Sequence, residues 1–169
     1  IRDYDVTGVQ TCALPISNFL KTRVYDVAPK APLAGFTQNG YRLIYTDEPT
    51  AAFKNNEKRR SMVDLSYSIG ITVGKGGSIS SVIWDSPAFD AGLDLGDTIV
   101  AVGGREYSDD RLKAAITAAK TGKAPIKLLV KSGTRYRETT IDYRDGLRYP
   151  RLEKTGTGEG GLDKLLQAR

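Results

Sequence analysis

Residues 86–100, Ser-Pro-Ala-Phe-Asp-Ala-Gly-Leu-Asp-Leu-Gly-Asp-Thr-Ile-Val, constrain the fold more than any other stretch. Ser86 is suited to cap a short helix whose first residue is Pro87, where a missing N–H costs nothing. Ala88 and Ala91 keep that helix thin enough to lie against a sheet. Gly92 stands where a helix end calls for a left-handed residue, and Leu93 then folds back toward the core. Gly96-Asp97 predicts a tight turn, and Thr98-Ile99-Val100-Ala101-Val102 a β-branched strand leaving it.

The flanking sequence supplies partners for these elements. Residues 64–73 predict a turn followed by an alternating strand, Lys75-Gly76-Gly77 a short connection, and residues 78–84 the next strand. After residue 102 come the turn Gly103-Gly104, a short strand Arg105-Glu106-Tyr107, and a helix over 109–120. Ser108 caps that helix, with Asp109 and Asp110 in its first turn. Leu112, Ala115, Ile116 and Ala119 recur at helical spacing and define its buried face. Residues 126–130, the turn Ser132-Gly133 and residues 136–143 predict a closing hairpin.

Ser-Pro-Ala-x-x-Ala-Gly-Leu-x-x-Gly-Asp-x-Ile resembles the helix-to-strand passage of PDZ domains, above all those of bacterial proteases. The predicted order of elements agrees: an α+β, β-rich fold, a PDZ-like small β-barrel or sandwich closed by two helices. The resemblance implies that an extended peptide, often a free C-terminus, is bound by strand addition. Tyr67-Ser68-Ile69-Gly70-Ile71 stands where that family carries its carboxylate loop, with the amides of Ile69, Gly70 and Ile71 as donors. Gly70 is expected to let backbone come close to a ligand. Ile71, Thr72 and Val73 would form the docking edge. Asp109, Leu112, Lys113 and Ile116 would form the helix wall, although Leu112 reads better as plain core, and Ile69 and Ile116 as both core and site. Asp109 replaces the histidine some PDZ domains use to read Ser or Thr, so that preference is not implied.

A narrower resemblance rests on Arg23-Val24-Tyr25-Asp26, Pro32-Leu33, Gly40-Tyr41-Arg42-Leu43, Tyr67-Ser68-Ile69-Gly70, Trp84-Asp85-Ser86-Pro87-Ala88 and residues 146–153. In this order they look like the C-terminal part of glycyl aminopeptidases, in which a thermolysin-like zinc domain precedes a PDZ domain. The resemblance implies a bacterial, periplasmic or secreted parent that removes N-terminal Gly or Ala with zinc. The family's His-Glu-x-x-His motif is absent from this chain, so zinc and every catalytic residue belong to the parent. The alternatives are a freestanding interaction module, the PDZ domain of a serine or site-2 type protease, or a fragment active by itself.

Histidine is absent, which excludes a Ser-His-Asp triad, a Cys-His pair and a His-containing zinc site within these residues. The Asp and Glu residues are scattered among Lys and Arg, as on a solvated surface. No catalytic residue is assigned, and the fragment is read as no enzyme.

Residues 6–16, Val-Thr-Gly-Val-Gln-Thr-Cys-Ala-Leu-Pro-Ile, resemble the conceptual translation of a common DNA-sequencing adapter. Ile1-Arg2-Asp3 matches the adapter's upstream bases, and Tyr4-Asp5 fits a two-codon index. Residues 1–17 are therefore set aside as an artefact expected to be disordered, and the one cysteine, Cys12, goes with them. Residues 18–63 are read as a linker and remnant of a preceding domain, 64–145 as the PDZ domain, and 146–169 as a tail. Within the linker, residues 31–36 predict a helical turn ending at Gly35, residues 41–46 a strand, and Thr50 the cap of a helix over 51–62. Lys54, Lys58, Arg59 and Arg60 make that helix basic. Without an aromatic platform or a nucleic-acid motif it reads as a solvated face, so no nucleic acid is expected as partner. No apolar run is long enough to span a membrane. The tail holds Tyr149-Pro150, a Gly-rich run over 156–161 and a short helix over 162–169. The expected partner is a peptide, a protein C-terminus or another domain of the parent.

Overall fold

The computed structural model describes residues 16–22, 24–25, 33–122 and 124–167. The adapter-like residues 1–15 and part of the predicted turn over 31–36 lie outside them. Ile16 and Ser17, set aside as disordered, fall in an exposed helical run over residues 16–22.

The first elements are α1 (Ala34–Gln38), β1 (Tyr41–Thr46) and α2 (Ala51–Arg60). Helix α1 continues past Gly35 rather than ending there. Thr50 caps α2 as its sequence predicts, accepting from the Phe53 amide at 3.2 Å. The helix stops two residues early. Ser61 turns left-handed, with φ of 49°, and throws Met62 into a strand.

That strand, β2 (Met62–Leu65), pairs antiparallel with β3 (Ile71–Gly74), which pairs in turn with β4 (Ile79–Val82). Residues 64–73 therefore form a hairpin, where sequence predicts a turn and one strand. Next come α3 (Pro87–Asp90), β5 (Thr98–Val102), β6 (Arg105–Glu106), α4 (Asp109–Thr121), β7 (Ile126–Ser132) and β8 (Arg135–Ile141). The last strands form a second sheet in the order β6-β5-β7-β8. Ser86 accepts from the Phe89 amide and Ser108 from the Arg111 amide, so both predicted caps are made.

The fold is α+β and strand-rich, with antiparallel pairing throughout the described sheets. These sheets do not close into the barrel that was one expectation. The first and second sheets are joined by the isolated bridge Ser78–Thr98. Beyond it, the Gly96-Asp97 turn takes the place of a strand: Ile79 donates to the Asp97 carbonyl and accepts from the Gly96 amide. Between the sheets and α4 lies one core that includes Leu65, Ile71, Ile99, Leu112, Ile116 and Leu128. Each such side chain contributes roughly 1.5–3 kcal/mol on burial.

Segments on either side of these two sheets in the chain meet in a third sheet. β9 (Tyr149–Lys154) pairs with β1 over its whole length, and α5 (Gly161–Leu166) follows. Tyr149 is 1% exposed and meets the Phe53 ring edge-on at 5.1 Å, fixing α2 to β9.

Candidate peptide-binding site

Residues 66–70 link β2 to β3. Asp64 opens the turn by accepting from the Ser66 amide and hydroxyl. The amides of Ser68 and Gly70 then both donate to one oxygen, the Leu65 carbonyl, each at 3.0 Å. Of the three expected donors, Gly70 therefore points inward, joined by Ser68, whose amide was not among them. The loop is tied down on its other sides too. The Ile69 carbonyl accepts from the Ala88 amide, the Gly70 carbonyl from the Ile83 amide, and the Ser68 hydroxyl oxygen from the Arg148 amide at 3.0 Å.

Gly70 has φ of +87°, a conformation that L side chains rarely adopt. A Cβ there would fall 2.1 Å from the Cβ and 2.3 Å from the Oγ of Ser86. The close approach expected of a ligand is thus already made by the cap of α3.

The expected docking edge, Ile71 to Val73, is not an edge. β3 is the central strand of its sheet, with β4 on one side and β2 on the other in the register Val63–Val73, Asp64–Thr72, Leu65–Ile71. The physical reason is local alternation: Val63 and Leu65 are 4% and 0% exposed, while Met62 and Asp64 point to the half-buried face.

Ile69, Ile71, Val73, Leu112 and Ile116 are all fully buried, so the helix wall and strand belong to one core. Thr72 is half-buried on the other face of β3. Asp109 is exposed at the start of α4 and accepts from the Tyr107 hydroxyl at 2.8 Å. Burial, and then Asp109, raises the Tyr107 pKa.

Lys113 is half-buried and pairs with Glu57 at 3.4 Å. The other Glu57 oxygen accepts from the Asp64 amide at 2.8 Å. Glu57 thereby joins the outer edge of β2 to α4, a role the sequence reading missed. The available signal was a lone acid in the otherwise neutral and basic α2. Arg148 was missed as well: its guanidinium lies 4.4 Å over the Tyr45 ring, which faces Tyr67 of the loop at 5.9 Å.

Among the described residues, no group of three or more His, Cys, Asp or Glu side chains is placed to hold a metal ion. No described helix is long and apolar enough to cross a membrane.

Neither a protein-family profile nor a curated protein matches the chain. Among solved structures it is similar to the HtrA3 PDZ domain bound to a phage-derived ligand, FGRWV. That match has 19% identity over 68% of this chain and 91% of the other, with a TM-score of 0.35. It is also similar to an aminopeptidase N family protein from Idiomarina loihiensis, at 13% identity over 83% of this chain with a TM-score of 0.52. The chain spans 24% of that protein, and the likeness is one of fold.

Proposed function

We propose that this chain is a non-catalytic, PDZ-like module that binds an extended peptide or a protein C-terminus by strand addition. The observation that carries this reading is the convergence of the Ser68 and Gly70 amides on a single oxygen, the Leu65 carbonyl, beside the start of β3. A carboxylate oxygen that displaced the Leu65 carbonyl would meet the same two N–H groups, and charge would strengthen both bonds. Residues 68–73 would supply the loop and strand, and α4, through Asp109, Leu112, Lys113 and Ile116, the far wall.

In the same reading the module is an accessory part of a bacterial zinc aminopeptidase, exported and similar to glycyl aminopeptidases. Zinc and catalysis reside in the parent, and residues 64–145 form the module. Support comes from the ordered sequence resemblance, and from a fold shared with part of a much longer aminopeptidase N family protein.

The test is calorimetric titration of the chain with a library of C-terminal peptides, each as free acid and as amide. Saturable binding of free acids that weakens at least tenfold on amidation is expected. Equal affinity for acid and amide would overturn the carboxylate site. Zinc retained through dialysis, with metal-dependent cleavage of Gly- or Ala-aminoacyl substrates, would overturn the non-catalytic assignment.

A further inference from the structure

Resting on the reading of residues 68–73 and α4 as a peptide groove, we infer that Met62-Val63-Asp64-Leu65 is a tethered ligand that holds the groove shut. Peptide binding then requires release of β2. The strand has the properties of an occupant. It runs antiparallel to β3 in unbroken register. Its last carbonyl, that of Leu65, takes the two loop amides that a terminal carboxylate would take. The Leu65 side chain is fully buried in the same core as Ile69, Leu112 and Ile116, and Val63, two residues before, is 4% exposed. The Asp64 amide faces away from β3, so Val63 and Leu65 are the residues whose backbone groups pair with it.

The outer edge of this strand is held through one carboxylate. Glu57 bridges the Asp64 amide and the Lys113 ammonium, closing β2 against α4. Both ends of the segment are anchored. Phe53 on Tyr149 fixes the preceding helix, and Arg148 on Ser68 fixes the following loop. A left-handed Ser61 forms the joint between α2 and β2. A strand tethered this closely competes at an effective concentration of millimolar or above. The apparent affinity for an outside peptide falls by the fraction of molecules in which β2 is open. A competing terminus would have to reproduce the Val-x-Leu pattern of the occupant.

The experiment uses the full chain carrying Cys12→Ser, Asp64→Cys and Thr72→Cys. Positions 64 and 72 face each other in register, and both are half-buried rather than core. A disulfide there locks β2 in place, and reduction frees it. The probe is the synthetic peptide Ser-Met-Val-Asp-Leu as free acid, with its amide as control. The reduced protein is expected to bind the acid at least tenfold more tightly than the oxidised protein. Equal binding by both forms overturns the latch and leaves the groove standing. Hydrogen exchange on the unaltered chain gives an independent readout: the Val63 and Leu65 amides should exchange at least tenfold faster than those of Leu128 and Val130. Equal protection marks β2 as permanent core and overturns the inference. Fast β2 exchange with no binding by either form or by the unaltered chain, which keeps the Asp64 carboxylate on Ser66, overturns the groove reading instead.

Discussion

The Cβ that Gly70 lacks would stand 2.1 Å from the Cβ of Ser86. Two elements distant in sequence, the β2–β3 loop and the cap of α3, are therefore packed without room for a methyl group. Gly70→Ala combines this overlap with a positive φ, and the two costs together amount to roughly 2–5 kcal/mol. Thermal unfolding should show Tm falling by about 5–15 °C. Gly70→Ala with Ser86→Gly removes the overlapping side chain at little capping cost and should recover part of the loss. A single variant as stable as the parent would mean that the loop and α3 are not packed this way. Any loss of peptide binding in Gly70 variants must be judged against this loss of folding.

What the sequence disclosed was chemistry acting over a few residues. Ser86, Pro87 and Gly92 specify the start and end of α3 because a hydroxyl cap, a missing N–H and a left-handed backbone are properties of residue type. Ser108 and the apolar period of 109–121 specify α4 in the same way. Pairings between distant segments were not visible. β1 and β9 pair although more than a hundred residues separate them, and β9 contains Pro150. Proline is tolerated there because β9 is an edge strand. The site residues were found by type, but their accessibility was not. The alternation Val63-Asp64-Leu65 is too short to announce a strand by itself, and it does not say which edge that strand would cover.

Asp97 is 3% exposed, and its carboxylate receives the Arg137 guanidinium at 2.9 Å and the Asp94 amide at 3.3 Å. The same guanidinium donates to the Gly92 carbonyl, so one side chain ties β8 to both ends of the segment between α3 and β5. Arg137→Ala leaves a buried carboxylate without its half-exposed cation and should cost about 1.5–3 kcal/mol. Arg137→Lys keeps the charge but replaces the planar guanidinium by a more strongly hydrated ammonium, and should fall between parent and alanine. Urea denaturation checks both. Equal stability of the alanine variant and the parent would show that Asp97 is satisfied without Arg137.

Asp163 ties α5 to the β1–β9 sheet, accepting from Lys154, Tyr41 and the Gly160 amide. These donors, Lys154 foremost, hold its carboxyl down to about 2. A depressed acid stabilises the fold above its unfolded pKa and loses that contribution as pH falls through the folded one. Docking of α5 should therefore weaken between about pH 4 and pH 2. The carboxyl carbon of Asp163, followed by NMR, should titrate in step with the Tyr41 ring signals. Asp163→Asn should remove the transition, and a carboxyl titrating near 4 would contradict the contact.

Tyr149 places its ring against Phe53, and burial pushes its phenol up to about 12, with the Glu57 and Asp64 carboxylates adding to the shift. The folded state thus favours the neutral phenol more than the unfolded chain does. That preference stabilises the fold fully below the ordinary tyrosine value near 10, and is lost as pH rises through about 12. A shift of this size corresponds to at most about 3 kcal/mol. The phenols of Tyr107 and Tyr143 are also raised by burial, so the parent's alkaline loss is shared among several groups. Tyr149→Phe isolates one of them, because it keeps the ring contact and removes the ionisable hydroxyl. Urea denaturation of both proteins from pH 8 to pH 12 should show the parent losing stability faster than the variant above about pH 10. Parallel curves through that range would show that the Tyr149 hydroxyl ionises as freely folded as unfolded, and that β9 does not bury it against α2.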